Sequence, residues 1–343
     1  MANAAPAVAF PAPEILEAER DFRMQLVDGS VIDGYVRRRS DPEFPIVYCP
    51  FQLGPPMAVG KGVIYYGIQY NRVAQGRYEL DVQKRVAVIK TVNKSWLRNN
   101  PRENIMSEIS VAQTYGDNFH IGSILDALED DEHYYIIMPF WGFALCDYLD
   151  AYGAQPQAPP EVTRSFVENL AFLKRLGILH CDISAENIMV SRNDERTSYP
   201  LIDFAMAKQS ARDEHGQFLP VAREIPASRF GKFQYMSPEM HDTRTPGNLY
   251  FGVDMWAIGC TLFLLWTGNY LYERPGDACW RFFVLNDDSP VVMITERVQV
   301  IRLLFEGLLQ QQQNLLNQIF IRNPEDRVTV DDILNDPYFI PIE

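Results

Sequence analysis

At 343 residues the chain is long enough for one large or two modest domains with a substantial core, and 47% hydrophobic with 22% charged residues fits a soluble globular protein. A formal net charge of −14 argues against a nucleic-acid surface, while a basic substrate would be drawn in. Cys49, Cys146, Cys181, Cys260 and Cys279 are odd in number, scattered and without a C-x-x-C pair, so reduced thiols are expected rather than disulfides or zinc ligands.

The opening stretch MANAAPAVAFPAPE lacks a basic start followed by an apolar core, so no signal peptide is expected, and Ala2 excludes N-myristoylation. Residues 1 to about 20 are rich in Ala and Pro and are expected to be loosely docked or without fixed structure. Residues 24–27 and 31–32 flank Asp28-Gly29, a hairpin signal. Residues 1–44 are set apart as an extension with no assigned role. Strand patterns follow at 46–48, 63–66 and 86–89, the last closed by Lys90. Asn100-Pro101-Arg102-Glu103 then reads as a helix start, with an Asn cap, Pro in the first turn and Glu three residues after the cap. Ile105, Ile109 and Ala112 continue at helical spacing, with Glu108 on the adjoining stripe. Residues 134–138 read as a strand and 139–142 as a link. Val162, Phe166, Leu170 and Leu173 form a helical stripe after Pro159-Pro160 that ends at Gly177.

The stretch ILHCDISAENIMVSRNDERTSYPLIDFA, residues 178–205, carries the chemistry. Two short strands, 188–190 and 201–202, are expected to form a hairpin that brings Asp182, Asn187 and Asp203 to one end. Asn187 and Asp203 are hard oxygen ligands able to hold Mg²⁺, which takes few protein ligands and shares phosphate oxygens. Asp182 is then free to orient a hydroxyl and take its proton, a division of labour suited to phosphoryl transfer. Beyond it, residues 203–239 are long and mostly polar. Residues 253–260 open a helix apolar nearly all round, as a buried central helix must be. Gln310 to Gln313 read as a helix face, and residues 256–266, the most apolar run, are too short to span a bilayer. A cytoplasmic protein is the expectation.

His180-Cys181-Asp182-Ile183-Ser184-Ala185-Glu186-Asn187 resembles the catalytic loop H-R-D-L-x-x-x-N of protein kinases, and Asp203-Phe204-Ala205 resembles D-F-G. Ala87-Val88-Ile89-Lys90 resembles the strand that ends in the family's phosphate-binding lysine, and Ser107-Glu108-Ile109-Ser110 the helix that carries its partner. Gly231 to Glu239 resembles G-T-x-x-Y-x-A-P-E, and Asn323 to Thr329 resembles the approach to the family's last helices. The resemblance runs from about residue 45 to 341 with its motifs in order. It implies an α+β fold of two lobes, a small β-rich N-lobe over 45–138 and a larger helical C-lobe over 144–341, joined at 139–143.

The same resemblance implies ATP and Mg²⁺ as cofactors. Lys90 would hold the α- and β-phosphates and Glu108 would hold Lys90; Asn187 and Asp203 would bind Mg²⁺; Asp182 would act as base or orienter. Met138 would be the gatekeeper, the Pro139 carbonyl and Trp141 N–H would meet adenine, and Gly62, Ile64, Val88 and Met189 would complete the nucleotide site. Arg327 would pair with Glu239.

Several positions depart from the family pattern. Met57, Val59 and Gly62 stand at the three positions of its glycine-rich loop, which implies weaker ATP binding, since side chains keep backbone amides from phosphates. Ala144 stands where many kinases offer a carboxylate to the ribose, Ala205 replaces the D-F-G glycine, and Cys181 replaces an arginine that would receive an activation-segment phosphate. Ser184 stands in place of a lysine and Lys232 in place of a threonine, as if ammonium and hydroxyl had exchanged seats. One reading has Lys232 reach the γ-phosphate from the opposite wall; the other leaves it in solvent, with Ser184 merely tolerated. Glu186, where tyrosine kinases place an arginine, favours serine or threonine and suggests basic residues near the target hydroxyl. The leading expectation is a serine/threonine protein kinase acting on a protein substrate, with no nucleic acid or membrane partner. The competing readings are a pseudokinase scaffold and, more distantly, a small-molecule kinase.

Overall fold

The computed structural model describes residues 5–39, 46–50, 57–59, 62–74, 77–80, 86–100, 103–116, 118–192, 197–223, 231–241 and 247–339. The chain divides into two compact units, residues 11–141 and residues 1–10 with 142–343. Among the described residues no helix is long and apolar enough to cross a membrane.

The first unit is a sheet of nine strands: β1 (Leu16–Leu26), β2 (Val31–Arg38), β3 (Ile46–Pro50), β4 (Met57–Val59), β5 (Gly62–Ala74), β6 (Arg77–Leu80), β7 (Val86–Asn93), β8 (Asp126–Glu129) and β9 (His133–Pro139). The hairpin signalled by Asp28-Gly29 exists, closed by Ser30 N–H donating to Asp28 Oδ1 at 2.8 Å, with Gly29 at φ 87°. Its arms are longer than the pattern suggested and belong to the same sheet as the strands after residue 45. β1 pairs β2 on one edge, and on the other it meets β8 at Leu16 and Glu17 and β6 at Gln25 and Leu26. With β2–β3, β3–β5 and β5–β6 pairing, the strands β1, β2, β3, β5 and β6 close into a ring, which takes up backbone edges that would otherwise template aggregation.

Ala18, Val36, Tyr48, Ile89, Leu128, Tyr135 and Ile137 form the core on one face. On the other, α2 (Ile105–Tyr115) packs Ile105 and Ile109 against Val92, Ala127 and Ile136. Arg38 Nε bonds the buried Asp126 at 2.9 Å and Arg37 Nε bonds Glu19 at 2.8 Å, tying the hairpin in.

Two expectations are corrected here. Residues 1 to about 20 are not without fixed structure among the described positions, since Ala5 and Val8 are bridged to residues 221 and 209 and β1 begins at Leu16. The helix expected to be capped by Asn100 is capped four residues later by Asn104, and a separate short helix ends just before Asn100. Asn93 caps α1 (Lys94–Asn99), whose end Asn100 closes, and Asn104 caps α2 by accepting from Met106 N–H at 3.1 Å. Three asparagines compete for the cap, and the ones followed by free N–H groups take it. Pro101 and Arg102 lie outside the described residues.

The second unit is helical. β10 (Phe143–Ala144) and α3 (Leu145–Tyr152) lead to α4 (Pro160–Leu176), which starts on Pro160 and ends at Gly177 with φ 74°, as the Pro and Gly signals require. β11 (Ile178–Leu179) pairs β14 (Lys208–Gln209), and β12 (Met189–Arg192) pairs β13 (Thr197–Ser198). The expected hairpin is displaced toward its turn, its first strand starting one residue later and its second lying at 197–198 rather than 201–202; Ile188 and Leu201 meet only as an isolated bridge at its base. β15 (Val221–Arg223) and β16 (Gly247–Leu249) pair around α5 (Pro238–His241). α6 (Gly252–Thr267) is buried at every residue from Val253 to Trp266. α7 (Ala278–Phe283), α8 (Pro290–Met293), α9 (Glu296–Glu306), α10 (Gln310–Ile319) and α11 (Val330–Ile333) complete the unit. The glutamines of α10 do form a helix face, with buried Gln312 donating to Pro156 O at 3.0 Å.

Candidate active site

In the helical unit the site is built on the turn between β11 and β12. Buried Asp254, in the first turn of α6, accepts the N–H of His180 at 2.6 Å and of Cys181 at 2.9 Å. A carboxylate inside an apolar helix is costly unless bonded, and these two N–H groups are its compensation. His180, also buried, sets Nε2 against Ile202 O at 3.1 Å and lies tilted against Phe204 with ring centroids 4.5 Å apart, while its Nδ1 accepts Asp182 N–H at 3.3 Å. Burial holds the His180 imidazole below its ordinary pKa. Cys181 and Asp203 both adopt left-handed backbone at φ 63°, a strain that side-chain-bearing residues keep only where surroundings impose it.

Asp182 is the centre of the site. Asn187 Nδ2 donates to its Oδ2 at 3.0 Å and to its carbonyl at 2.8 Å, and Lys232 N–H donates to Oδ1 at 3.0 Å. Lys232 Nζ lies 2.8 Å from Ser184 Oγ and 3.6 Å from Asp182 Oδ2. Ammonium and hydroxyl therefore meet, and Lys232 is not simply in solvent. Gly231, at φ 80°, has no room for a Cβ, which would fall 2.7 Å from Cys181 O; it lets the chain press Lys232 onto the turn that carries Asp182. Burial pushes the Asp182 carboxyl up to about 6, with the Lys232 charge pulling it down and the Asp203 charge pushing it up.

The donor set suits a hard divalent cation. Both Nδ2 bonds of Asn187 go to Asp182, which leaves its amide oxygen as the acceptor available to a cation, and Asp203 offers carboxylate oxygens. No group of three or more His, Cys, Asp or Glu able to hold a metal occurs among the described residues. A cation here would need phosphate oxygens to complete its shell, as Mg²⁺ commonly does.

Below the site, Arg327 forms a two-pronged pair with Glu239 (2.8 and 3.0 Å), as expected, and spends its remaining donors on Gly252, Ile321 and Arg322 carbonyls. Trp256 Nε1 donates to Tyr272 OH at 2.9 Å, which donates to Met236 O at 2.5 Å. Met189 sits in β12 opposite Ala144. Ala205 lies buried in a 3₁₀ turn, residues 204–206.

In the β-rich unit, Lys90 Nζ lies 2.5 Å from Glu108 Oε1, with each side chain 5% exposed. Cross-strand register sets Ile64 opposite Lys90, Val88 opposite Met138 and Gly62 opposite Val92. Pro139 ends β9 opposite Ala87, and Trp141 follows, half-buried. β4 and β5 form the hairpin that carries Met57, Val59 and Gly62. A Cβ on Gly62 would fall 1.8 Å from Thr91 O, so this glycine is demanded by the approach of β5 to β7. The side chains of residues 57–59 and the turn at 60–61 lie outside the described residues.

Sequence reading missed Asp254, although its signal, one carboxylate in an apolar helix, was visible. It also missed the role of Gly231, which only the three-dimensional approach reveals.

The family profile of the protein kinase domain matches residues 70–339. It begins past the β4–β5 turn, later than the expected start near 45. Serine/threonine-protein kinase RAD53 of Saccharomyces cerevisiae is 28% identical over 189 residues, which cover 53% of this chain and 22% of that protein. PKZ1 of Phytophthora infestans, a serine/threonine-protein kinase, is 22% identical over 273 residues, 74% of this chain and 64% of its own length. Serine/threonine-protein kinase cds1 of Schizosaccharomyces pombe is 25% identical over 223 residues, 63% and 44% of the two chains. The chain spans less than two thirds of the length of each of these relatives.

Proposed function

The chain belongs to the protein kinase family, and on that premise we propose that it is a serine/threonine kinase that passes the γ-phosphoryl group of Mg-ATP to a protein hydroxyl. The observation that carries this reading is the bonding of Asp182: one oxygen taken by Lys232 N–H, the other by Asn187, in a buried setting that raises its basicity. A carboxylate so held orients the acceptor hydroxyl and takes its proton as the new O–P bond forms and the bond to the departing diphosphate breaks. Lys90, gripped by Glu108, takes the α- and β-phosphates. Asn187 and Asp203 take Mg²⁺, and Met138, Pro139, Trp141, Val88, Ile64, Gly62 and Met189 take the nucleotide. Bound Mg-ATP supplies the phosphoryl group and the charge neutralisation.

Lys232, beside Ser184 and Asp182, is assigned to the γ-phosphate, with Ser184 as its hydroxyl partner. Glu186 and the net charge of −14 favour substrates with basic residues near the target hydroxyl. The names of the relatives, all serine/threonine kinases, support the choice of acceptor.

A scaffold with little or no transfer is the second reading, and Gly62 favours it. The one retained glycine of the phosphate hairpin is explained by strand packing, with no appeal to a phosphate.

Radiolabelled Mg-ATP with a generic basic protein, beside Asp182→Asn, separates the two. Transfer that falls roughly a hundred-fold or more in the variant supports the enzyme. Nucleotide binding by thermal shift, with no transfer in either protein, overturns it in favour of the scaffold. Label on a small metabolite alone would move the acceptor class.

A further inference from the structure

Residues 5–8 run along the segment that follows Asp203. Ala5 N–H donates to Pro220 O at 3.0 Å, and Ala222 N–H donates back to Ala5 O at 2.8 Å. Val8 N–H donates to Gln209 O at 2.8 Å. Ala5 is thereby a parallel bridge partner of Val221, and Val8 an antiparallel partner of Gln209. Gln209 belongs to β14, whose partner β11 runs directly into His180; Val221 belongs to β15, whose partner is β16. One short arm thus adds an edge to two separate two-stranded sheets, at the two ends of residues 209–222.

Between those ends the segment closes on itself. Leu219 N–H donates to Ala211 O at 2.9 Å, Ser210 Oγ donates to Leu219 O at 2.6 Å, and Arg212 lies over the Phe218 ring at 3.7 Å. Ser210 N–H donates to Gly177 O at 2.8 Å, joining the segment to the end of α4. The closed loop is therefore anchored at Gln209 and Val221, the two positions that the arm reaches.

The arm is held by its main chain. Pro6, Ala7, Val8 and Ala9 are exposed and only the small Ala5 is half-buried, so side chains contribute little to holding it. Main-chain strand addition of this kind is reversible and needs no particular sequence. The residue before Asp182 is Cys181, a buried thiol, which offers a modified segment no positive charge to fold against.

We propose that residues 5–8 are a strap in cis that holds residues 209–222 in the arrangement in which the catalytic loop works, ordering the segment by strand addition rather than by added charge. This rests on the kinase reading above. With the strap away, β14 and β15 each regain an open edge and the β11–β14 pair that leads into His180 loses its support.

The test uses the full chain with Ala5→Pro and Val8→Pro together, which removes both donated N–H groups. Val8→Thr, which keeps its N–H, is the control. Hydrogen exchange should rise roughly ten-fold at the Ala222 amide and across 209–222 in the proline variant, as expected of a locally opened edge, and not in the control. Turnover should fall while the KM for ATP holds. Should the proline variant misfold, deletion of residues 1–10 replaces it, and a peptide of residues 2–10 at millimolar concentration should restore both protection and turnover. Unchanged exchange overturns the strap, and so does raised exchange with full turnover. If the wild type transfers no phosphate, the kinase reading fails on that result, and exchange with peptide rescue alone decides whether the arm holds the segment.

Discussion

Lys90 and Lys232 carry the same charge in contrasting settings, one in each unit. Lys90 is sealed between β7 and α2, 2.5 Å from Glu108, with both side chains 5% exposed. Lys232 is 35% exposed, donates from Nζ to the Ser184 hydroxyl oxygen and stands 3.6 Å from Asp182. A buried pair is bound up with folding, because removing one member leaves the other charge in a medium that cannot solvate it. A half-exposed lysine has water to fall back on, so its place can be filled from a different point in the chain with little cost to the fold. That contrast explains how Ser184 and Lys232 can stand in exchanged positions while Lys90 and Glu108 keep the places the family pattern assigns them.

The largest effect expected from this contrast is at Lys90. Lys90→Met should abolish measurable transfer and destabilise the chain by about 3–5 kcal/mol, because Glu108 stays buried without its ammonium. Adding Glu108→Leu should recover most of the stability and none of the activity. Denaturant unfolding of the single and double variants reads both. A single variant as stable as the wild type would mean the pair is not bound up with folding, and the contrast would fail.

Lys232 should show the reverse pattern. Lys232→Met should lower kcat roughly ten- to hundred-fold, about 1.4–2.7 kcal/mol of transition-state stabilisation, with ATP affinity and unfolding midpoint nearly unchanged. The pH profile sharpens the point. On the proposed role Asp182 would act when ionised, and with burial pushing its carboxyl up to about 6 the acid limb of kcat/KM should fall by half near that pH. The Lys232 charge pulls that pKa down, so Lys232→Met should move the limb to higher pH. Restoring the family's seating, Lys232→Thr with Ser184→Lys, should bring back rate and limb together. A limb that stays in place would remove Lys232 from the chemistry.

The same division governs what the sequence could reveal. Asp182, Asn187 and Asp203 could be proposed from the sequence because the chemistry they would serve asks for set residue types at set spacings. The meeting of Lys232 with Ser184 spans 48 positions and was legible only against the family's pattern. Asp28-Gly29 announced a hairpin, yet not its length, since β1 carries Asp21 at φ 51° in the middle of an otherwise alternating strand. Nothing in Ala/Pro-rich residues 5–8 could announce their docking, because main-chain bonding leaves no side-chain period to read. The family match beginning at residue 70 reflects the same limit in the phosphate hairpin: strand pairing persists there with Met57 and Val59 where the motif wants glycine.

The smallest expected effect discriminates between two asparagines. Asn104 caps α2, the helix that presents Glu108, through its bond to Met106 N–H, whereas Asn100 spends its side chain on Trp96 O at the end of α1. Asn104→Ala should therefore cost about 1 kcal/mol of stability. It should also weaken ATP binding slightly, since the first turn of α2 steadies the carboxylate that holds Lys90. Asn100→Ala should cost only a few tenths of a kcal/mol, on the order of a surface change. Neither substitution should move the acid limb set by Asp182 and Lys232, because both act only in the β-rich unit. Were Asn100→Ala the more damaging of the two, the helix would begin where the sequence alone had placed it. A shift of the limb in Asn104→Ala would show that the two lysines do not answer to separate supports.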